Sequence, residues 1–300
     1  MKNVAILGST GMLGSALAKV LTPVFGSVIE VNRAGTPVIA SNRCLSLDVE
    51  QKIDLNEVFA GQKIDYVVNA IGMIKQVIDA SDISDLTKAQ AINCDFVSQL
   101  NEYSDSREVP VIQIGTDCVF SGSRGNYLET DRFETTDVYS KSKIAGEKNS
   151  PSSMILRTSI VGREIKSSHS LLEWILSQKK NSEIKGFTNH FWNGVTSFHF
   201  AKLVTGIIES DGFTPGTFHV VPSSSVSKYE LLNFIIENFQ RPDLKITKFE
   251  APMATDRTLG TVNPAFNRQI WAQAGYDTIP DVEEMVVEYA NWLGKTQFLY

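Results

Sequence analysis

Tyr139 and Lys143 stand four residues apart in Tyr139-Ser140-Lys141-Ser142-Lys143, a spacing that puts a phenol and an ammonium on one face of a helix. A phenol so placed can give a proton to a carbonyl oxygen while a nicotinamide gives hydride to its carbon, provided the ammonium lowers the phenol pKa from about 10. Such a pair is commonly a surface coincidence and needs a second signal. One stands near the start of the chain: Gly8-Ser9-Thr10-Gly11-Met12-Leu13-Gly14 follows the apolar run Val4-Ala5-Ile6-Leu7 and precedes an amphipathic stretch with Leu13, Leu17, Val20 and Leu21 on one face. That order is strand, turn, helix. In such a unit the first glycine makes the turn, the second lets a pyrophosphate approach the backbone, and the third lets helix pack on strand. Thr10, Met12 and Leu13 then lie at a helix N-terminus facing the phosphates.

Both pieces need a scaffold, and the sequence alternates accordingly. Strand-like runs recur at 27–31, 44–47, 64–69, 109–115 and 154–159, with helix-like stretches between them. The clearest helix spans 82–103, where Leu86, Ala89, Ile92 or Asn93, Phe96 and Leu100 recur at helical spacing behind a capping Asp82 or Ser84. This alternation predicts an α/β fold, a Rossmann-type doubly wound parallel sheet with right-handed crossovers. After Gly162 the pattern turns to longer helices over 168–180, 200–209 and 226–239, broken by polar and aromatic loops. We therefore expect a dinucleotide-binding domain over 1–165, completed by a segment near 187–222, and a smaller, mainly helical substrate-binding domain over 166–300. The site should lie in the cleft between them, beyond the carboxyl ends of the strands.

Composition narrows the class. The chain has 300 residues, 42% of them hydrophobic, and a mean hydropathy of −0.08, which suits a soluble globular protein. A net charge of −6 argues against a nucleic-acid partner. Cys44, Cys94 and Cys118 suit neither a metal site nor a disulfide framework, so a reducing cytoplasm fits best. The four histidines are scattered, and no metal is expected. Lys2 with the apolar stretch to Leu21 imitates a signal peptide, but Lys19 and the glycine spacing favour strand and helix. No later stretch reaches the roughly 20 apolar residues that would span a membrane.

Four ordered motifs resemble the extended short-chain dehydrogenase/reductase superfamily, and within it the dTDP-4-dehydrorhamnose reductases and related nucleotide-sugar 4-ketoreductases. They are the glycines Gly8, Gly11 and Gly14; Gly115-Thr116-Asp117-Cys118-Val119-Phe120-Ser121-Gly122 followed by Tyr127, Glu129 and Asp131; the Tyr139/Lys143 element running into Ala145-Gly146-Glu147; and Leu156-Arg157-Thr158-Ser159. The resemblance implies that Tyr139 is the proton donor, that Lys143 holds the nicotinamide ribose and tunes Tyr139, and that Thr116 hydrogen-bonds the carbonyl oxygen. Asn69, Ala70 and Ile71, with Gly72, would wall the nicotinamide side, and Asn93 is either a site residue or a solvated helix asparagine. In Ile29-Glu30-Val31-Asn32-Arg33, Asn32 and Arg33 occupy the turn that selects between cofactors, while Glu30 points away. NADPH is preferred, with Arg33 on its 2′-phosphate, and NADH is allowed. Asp48 and Val49 would line the adenine pocket. For a nucleotide-linked keto sugar, the resemblance offers Asp117 and Cys118, Trp192 with Phe187 and Phe191 as stacking surfaces in a loop over 189–194, and Arg257 as a diphosphate clamp.

The match departs at three places. Cys118 replaces the family's tyrosine, Ser140 replaces the glycine after the catalytic tyrosine, and the usual preceding proline is missing from Thr135-Thr136-Asp137-Val138. A smaller residue at 118 would leave room for a bulkier sugar, such as one with a 2-acetamido group. The rivals are a 4,6-dehydratase, which would need a second carboxylate after Asp117, a 4-epimerase, and a non-catalytic NADP-binding subunit. Related reductases dimerise, so a homodimer is allowed, but no apolar heptad argues for it.

Overall fold

The structure, a computed structural model, describes residues 2–51, 53–135, 137–166 and 168–295. Seven strands form the main sheet: β1 (Asn3–Leu7), β2 (Ser27–Asn32), β3 (Arg43–Ser46), β4 (Tyr66–Asn69), β5 (Val111–Thr116), β6 (Ser153–Thr158) and β7 (Gly216–His219). Every pairing among them is parallel, in the order β7-β6-β5-β4-β1-β2-β3. Winding reverses between β1 and β4, and a crevice opens beyond the strand ends at that reversal.

The central strands are apolar on both faces because both faces are covered. Helices α1 (Met12–Leu21) and α4 (Ser197–Glu209) pack together on one side, where Leu17, Leu21, Val204 and Ile208 share a core with Val4, Ile6 and Ile112. On the other side α2 (Phe96–Arg107) buries Phe96 and Leu100 against Leu7, Val31 and Val67. Helix α3 (Val138–Gly146) follows the loop after β5, and α5 (Lys228–Asn238) and α6 (Val282–Lys295) belong to the second half. The segment near 187–222 supplies α4 to the packed face and β7 to the sheet edge.

Two expectations are corrected. The run 82–103 is capped by Asp82, which accepts the Ser84 amide, but it is not one α-helix. Helix Ile83–Gln90 passes through a π-helical turn, Ala91–Asp95, before α2 begins. Position 189–194 is not a loop: His190–Trp192 forms a short strand, antiparallel to Val226–Ser227 and parallel to Thr255–Asp256. Its backbone groups find strand partners, so its polar side chains did not signal a loop. Among the described residues no helix is long and apolar enough to cross a membrane.

Candidate active site

A cavity of about 1000 Å³ runs along the crevice, with the glycine turn at one end and Cys118, Trp192 and Lys228 at the other. At the first end Gly8 adopts φ +80°, a left-handed conformation that side chains disfavour. A Cβ on Gly14 would fall 2.0 Å from the Gly8 carbonyl oxygen, so α1 can seat on the turn only with glycine there. A Cβ on Gly11 would meet nothing closer than 3.4 Å, so its neighbourhood stays open for a ligand. Gly11 is also the N-cap of α1 and supplies no side chain to the first-turn amides. Free amides, an open approach and a positive helix end fit a pyrophosphate. Gly8, Thr10, Gly11, Met12 and Leu13 line the cavity, while Gly14 acts from behind through packing.

Around the far side of the turn the expected cofactor residues divide. Asn32 and Arg33 both line the cavity. Asn32 is buried and fully engaged, its amide nitrogen donating to Ser9 Oγ at 2.9 Å and to the Thr36 carbonyl at 2.9 Å. Arg33 is exposed and pairs with Glu50 at 3.2 Å. Glu30 points away, as expected, and its carboxylate accepts the amides of Val38 and Ile39 at 2.7 and 2.9 Å. Val49 lines the cavity beside Glu50, but Asp48 does not; its carboxylate accepts the Glu50 amide at 3.2 Å. Ala70, Ile71 and Gly72 form the wall after β4. Asn69 is buried behind them and accepts the Ile71 amide at 3.0 Å, fixing the turn.

The reacting centre is built where β5 ends. Thr116 is its last residue; the hydroxyl accepts the Cys118 amide at 3.2 Å and reaches Asp117 at 3.4 Å. Tyr139 and Lys143 project from α3 into the same cavity as Thr116. Asp137 caps α3 by accepting the Ser140 amide at 3.0 Å and the Ser140 hydroxyl at 2.8 Å, and Lys75 pairs with it at 3.4 Å. Ser140 thus locks the cap of α3. Asn93, presented by the π-turn, is buried rather than solvated. Its side chain bonds both the amide and the carbonyl of Met73, at 2.9 and 3.0 Å, and donates to Ser142 at 2.9 Å. It ties the wall after β4 to α3.

The tuning of Tyr139 differs from expectation. Burial, and next the Cys118 sulfur, push the phenol well above its ordinary pKa, against a downward pull from the Thr116 hydroxyl. The Nζ of Lys143 is directed instead to the Ile114 carbonyl, to which it donates at 3.1 Å. Burial lowers the Lys143 pKa, and the Glu147 carboxylate one turn on partly restores it. The phenol therefore stays protonated at neutral pH, which is the form a proton donor needs.

The remaining motif residues build the frame. Arg157 and Glu147 form a buried ion pair at 2.7 Å directly under β5. A Cβ on Gly115 would lie 2.5 Å from Arg157 Cγ, which explains glycine beside Thr116. The Tyr127 hydroxyl accepts the amides of Gly122, Ser123 and Arg124 at 3.2, 3.0 and 3.3 Å, and Glu129 accepts those of His219 and Val262 at 3.0 and 2.9 Å. These close the loop that follows Thr116.

On the substrate side Asp117, Cys118 and Trp192 line the cavity. Trp192 is anchored by its indole N–H to Ser159 Oγ at 2.9 Å. Burial first, and Asp117 next, raise the Cys118 thiol to about 12, so it is a neutral wall group. Arg257 does not line the cavity; its Nε donates to the Phe120 carbonyl at 3.0 Å, and its charge acts on Asp117 from behind. Phe191 is exposed away from the cleft, and Phe187 packs on His190 and Phe249. Several cavity residues were not singled out in the sequence, Lys228 at the first position of α5 among them. Its capping box, Ser227 to Glu230, could have located the helix start but not the direction the lysine faces.

The RmlD substrate binding domain family matches residues 1–289. A dTDP-4-dehydrorhamnose reductase of Aggregatibacter actinomycetemcomitans is 27% identical over 240 residues, 77% of this chain and 76% of the relative. Among solved structures, a dTDP-4-dehydrorhamnose reductase from Clostridium acetobutylicum superposes with a TM-score of 0.75 at 22% identity, covering 98% of this chain and 100% of that one. One from Bacillus anthracis, in complex with NADP, superposes at 0.74 with 18% identity, covering 96% and 99%.

Proposed function

The chain belongs to the RmlD substrate binding domain family, and from that premise we propose that it is an NADPH-dependent reductase of the 4-keto group of a nucleotide-activated 4-keto-6-deoxy sugar. The observation that carries this reading is the convergence of Thr116, Tyr139 and Lys143 on the cavity that also contains the glycine turn. The bound cofactor supplies hydride to the carbonyl carbon. Tyr139 gives its phenolic proton to the carbonyl oxygen as negative charge develops there, and the Thr116 hydroxyl donates to the same oxygen. Both interactions strengthen in the transition state, where they count for rate. Lys143 can leave the Ile114 carbonyl for a ribose hydroxyl and bring its charge toward the phenolate that proton loss creates. The first-turn amides of α1 would hold the pyrophosphate, and Arg33 would take the 2′-phosphate. The absence of a second carboxylate after Asp117 disfavours a dehydratase.

Cys118 in place of tyrosine leaves room for a 2-acetamido group, which makes UDP-linked acetamido sugars the finer reading. A reducing cytoplasm is the compartment this chemistry would occupy. The test is NADPH oxidation by the purified protein against a panel of dTDP- and UDP-linked 4-keto-6-deoxy sugars. Turnover on one of them is expected. NADPH binding without turnover on any would point to a binding subunit, and a dTDP-rhamnose precursor outpacing every UDP-acetamido sugar would remove the finer reading.

A further inference from the structure

The substrate end of the cavity holds two opposite charges that feel each other without touching. Lys228 begins α5, at the helix end whose dipole favours anions and disfavours a cation. Among the described residues its Nζ has no carboxylate within 4.0 Å. It lies 5.8 Å from the centre of the Trp192 ring and in the field of Asp117. Asp117 is no better served, its carboxylate meeting the Thr116 hydroxyl at a long 3.4 Å. Burial lowers Lys228 to about 8 and raises Asp117, and each is partly restored by the other's charge. Folding stability gives no reason to keep two such groups short of hydrogen bonds in a cavity wall. Neither takes part in the proton and hydride steps.

We infer that Lys228 and Asp117 together bind the hydroxyl on the ring carbon next to the reacting carbonyl, with Lys228 Nζ donating to its oxygen and the Asp117 carboxylate accepting its hydrogen. This rests on the keto-sugar reading above. Thr116 and Tyr139 set where the carbonyl oxygen sits. Asp117 follows Thr116 directly in the chain and lines the same cavity, as does Lys228. A hydroxyl donates and accepts at one atom and so fits between an ammonium and a carboxylate. A sugar lacking it would leave both charges unsolvated, and sites built on such hydrogen bonds reject the deleted analogue strongly. The pair is then a specificity device beside the reaction, made by a residue from each half of the chain.

The test compares NADPH-dependent reduction of dTDP-4-dehydrorhamnose and of its 3-deoxy analogue by wild type, Lys228→Met, Lys228→Arg and Asp117→Asn. For wild type we expect a preference of about 100-fold in kcat/KM for the hydroxylated sugar. In Lys228→Met the preference should fall to about 3-fold or less, through loss on the hydroxylated substrate alone and with NADPH affinity unchanged. Lys228→Arg should restore part of it, which a purely structural role would not predict. Should Lys228→Met fail to fold, judged by its melting curve, Asp117→Asn makes the same comparison. Equal use of both sugars by wild type, or a preference that survives the variants, overturns the assignment and leaves the reductase reading standing. Reduction of neither sugar by wild type overturns the assignment, and the reductase reading falls with it if no UDP-linked 4-keto-6-deoxy sugar is turned over either.

Discussion

Two polar clusters sit inside this protein, and they are finished to different degrees. In the second half, Glu288 accepts from His199 at 3.0 Å, Lys202 at 3.3 Å and Tyr276 at 2.7 Å, while the other His199 nitrogen bonds Thr196 at 2.7 Å. Every group there has a partner. At the end of β5, Thr116, Asp117, Tyr139 and Lys228 face a common cavity with long or missing bonds. Closed networks hold elements together, here α4 to α6. An open one holds unsatisfied capacity for a ligand, and its groups face the cavity.

The comparison can be broken from either side. The largest effect is expected in the open cluster: Tyr139→Phe should lower kcat about 10³-fold, since general acid catalysis contributes on that order. NADPH affinity, read by fluorescence titration, should stay within a few-fold. Next comes Thr116→Val, which removes one donor to the developing oxyanion and should lower kcat about 10²-fold with KM little changed. At the cofactor end, Arg33→Ala should raise KM for NADPH about 10-fold and leave NADH unaffected. The effect is modest because Arg33 is exposed and already paired with Glu50, and it should shrink further in high salt.

The smallest effect belongs to the closed cluster and appears in stability. Glu288 is held down to about 2: burial alone would raise it, and the hydrogen bonds from His199 and Tyr276 outweigh that. A depressed carboxyl stabilises the fold above its ordinary pKa of 4.5 and loses that contribution as pH falls toward 2. Burial likewise lowers His199 below 6.5, so the folded state resists its protonation and stability also falls as pH drops below that value. Glu288→Gln should cost about 1 kcal/mol at pH 7, a discounted figure because the side chain is 39% exposed. It should also flatten the stability curve between pH 4.5 and 2, as followed by urea titration at each pH.

How much of this was legible in the sequence depends on whether spacing along the chain decides geometry. The glycine turn and the Tyr139/Lys143 pair were readable because one turn of helix and one strand–helix junction fix where their side chains go. Strand positions in the first half follow for the same reason, within two residues, while the helix read over 82–103 is broken by the π-turn and runs on to Arg107. The π-turn was not legible, since a single inserted residue barely disturbs the apolar spacing over 82–103 and yet turns Asn93 inward. Lys228 looks like an ordinary first-turn lysine, and only the placement of the start of α5 at the cavity wall brings it there. Arg257 and Phe191 show the reverse: side chains suited to a diphosphate and a base, but directed to a backbone carbonyl and to solvent. Tyr127, Glu129 and Arg157 carried the family likeness, and their bonds show them to be frame rather than chemistry.

The most direct measurement follows the hydride itself. NADPH deuterated at nicotinamide carbon 4 would be incubated with the turned-over keto sugar, and the product examined by NMR. One deuteron on the former carbonyl carbon, with one NADPH consumed per sugar reduced, is the expected result. An inverted or unchanged sugar with no net NADPH consumption and no label at that carbon would contradict the assignment of a reductase.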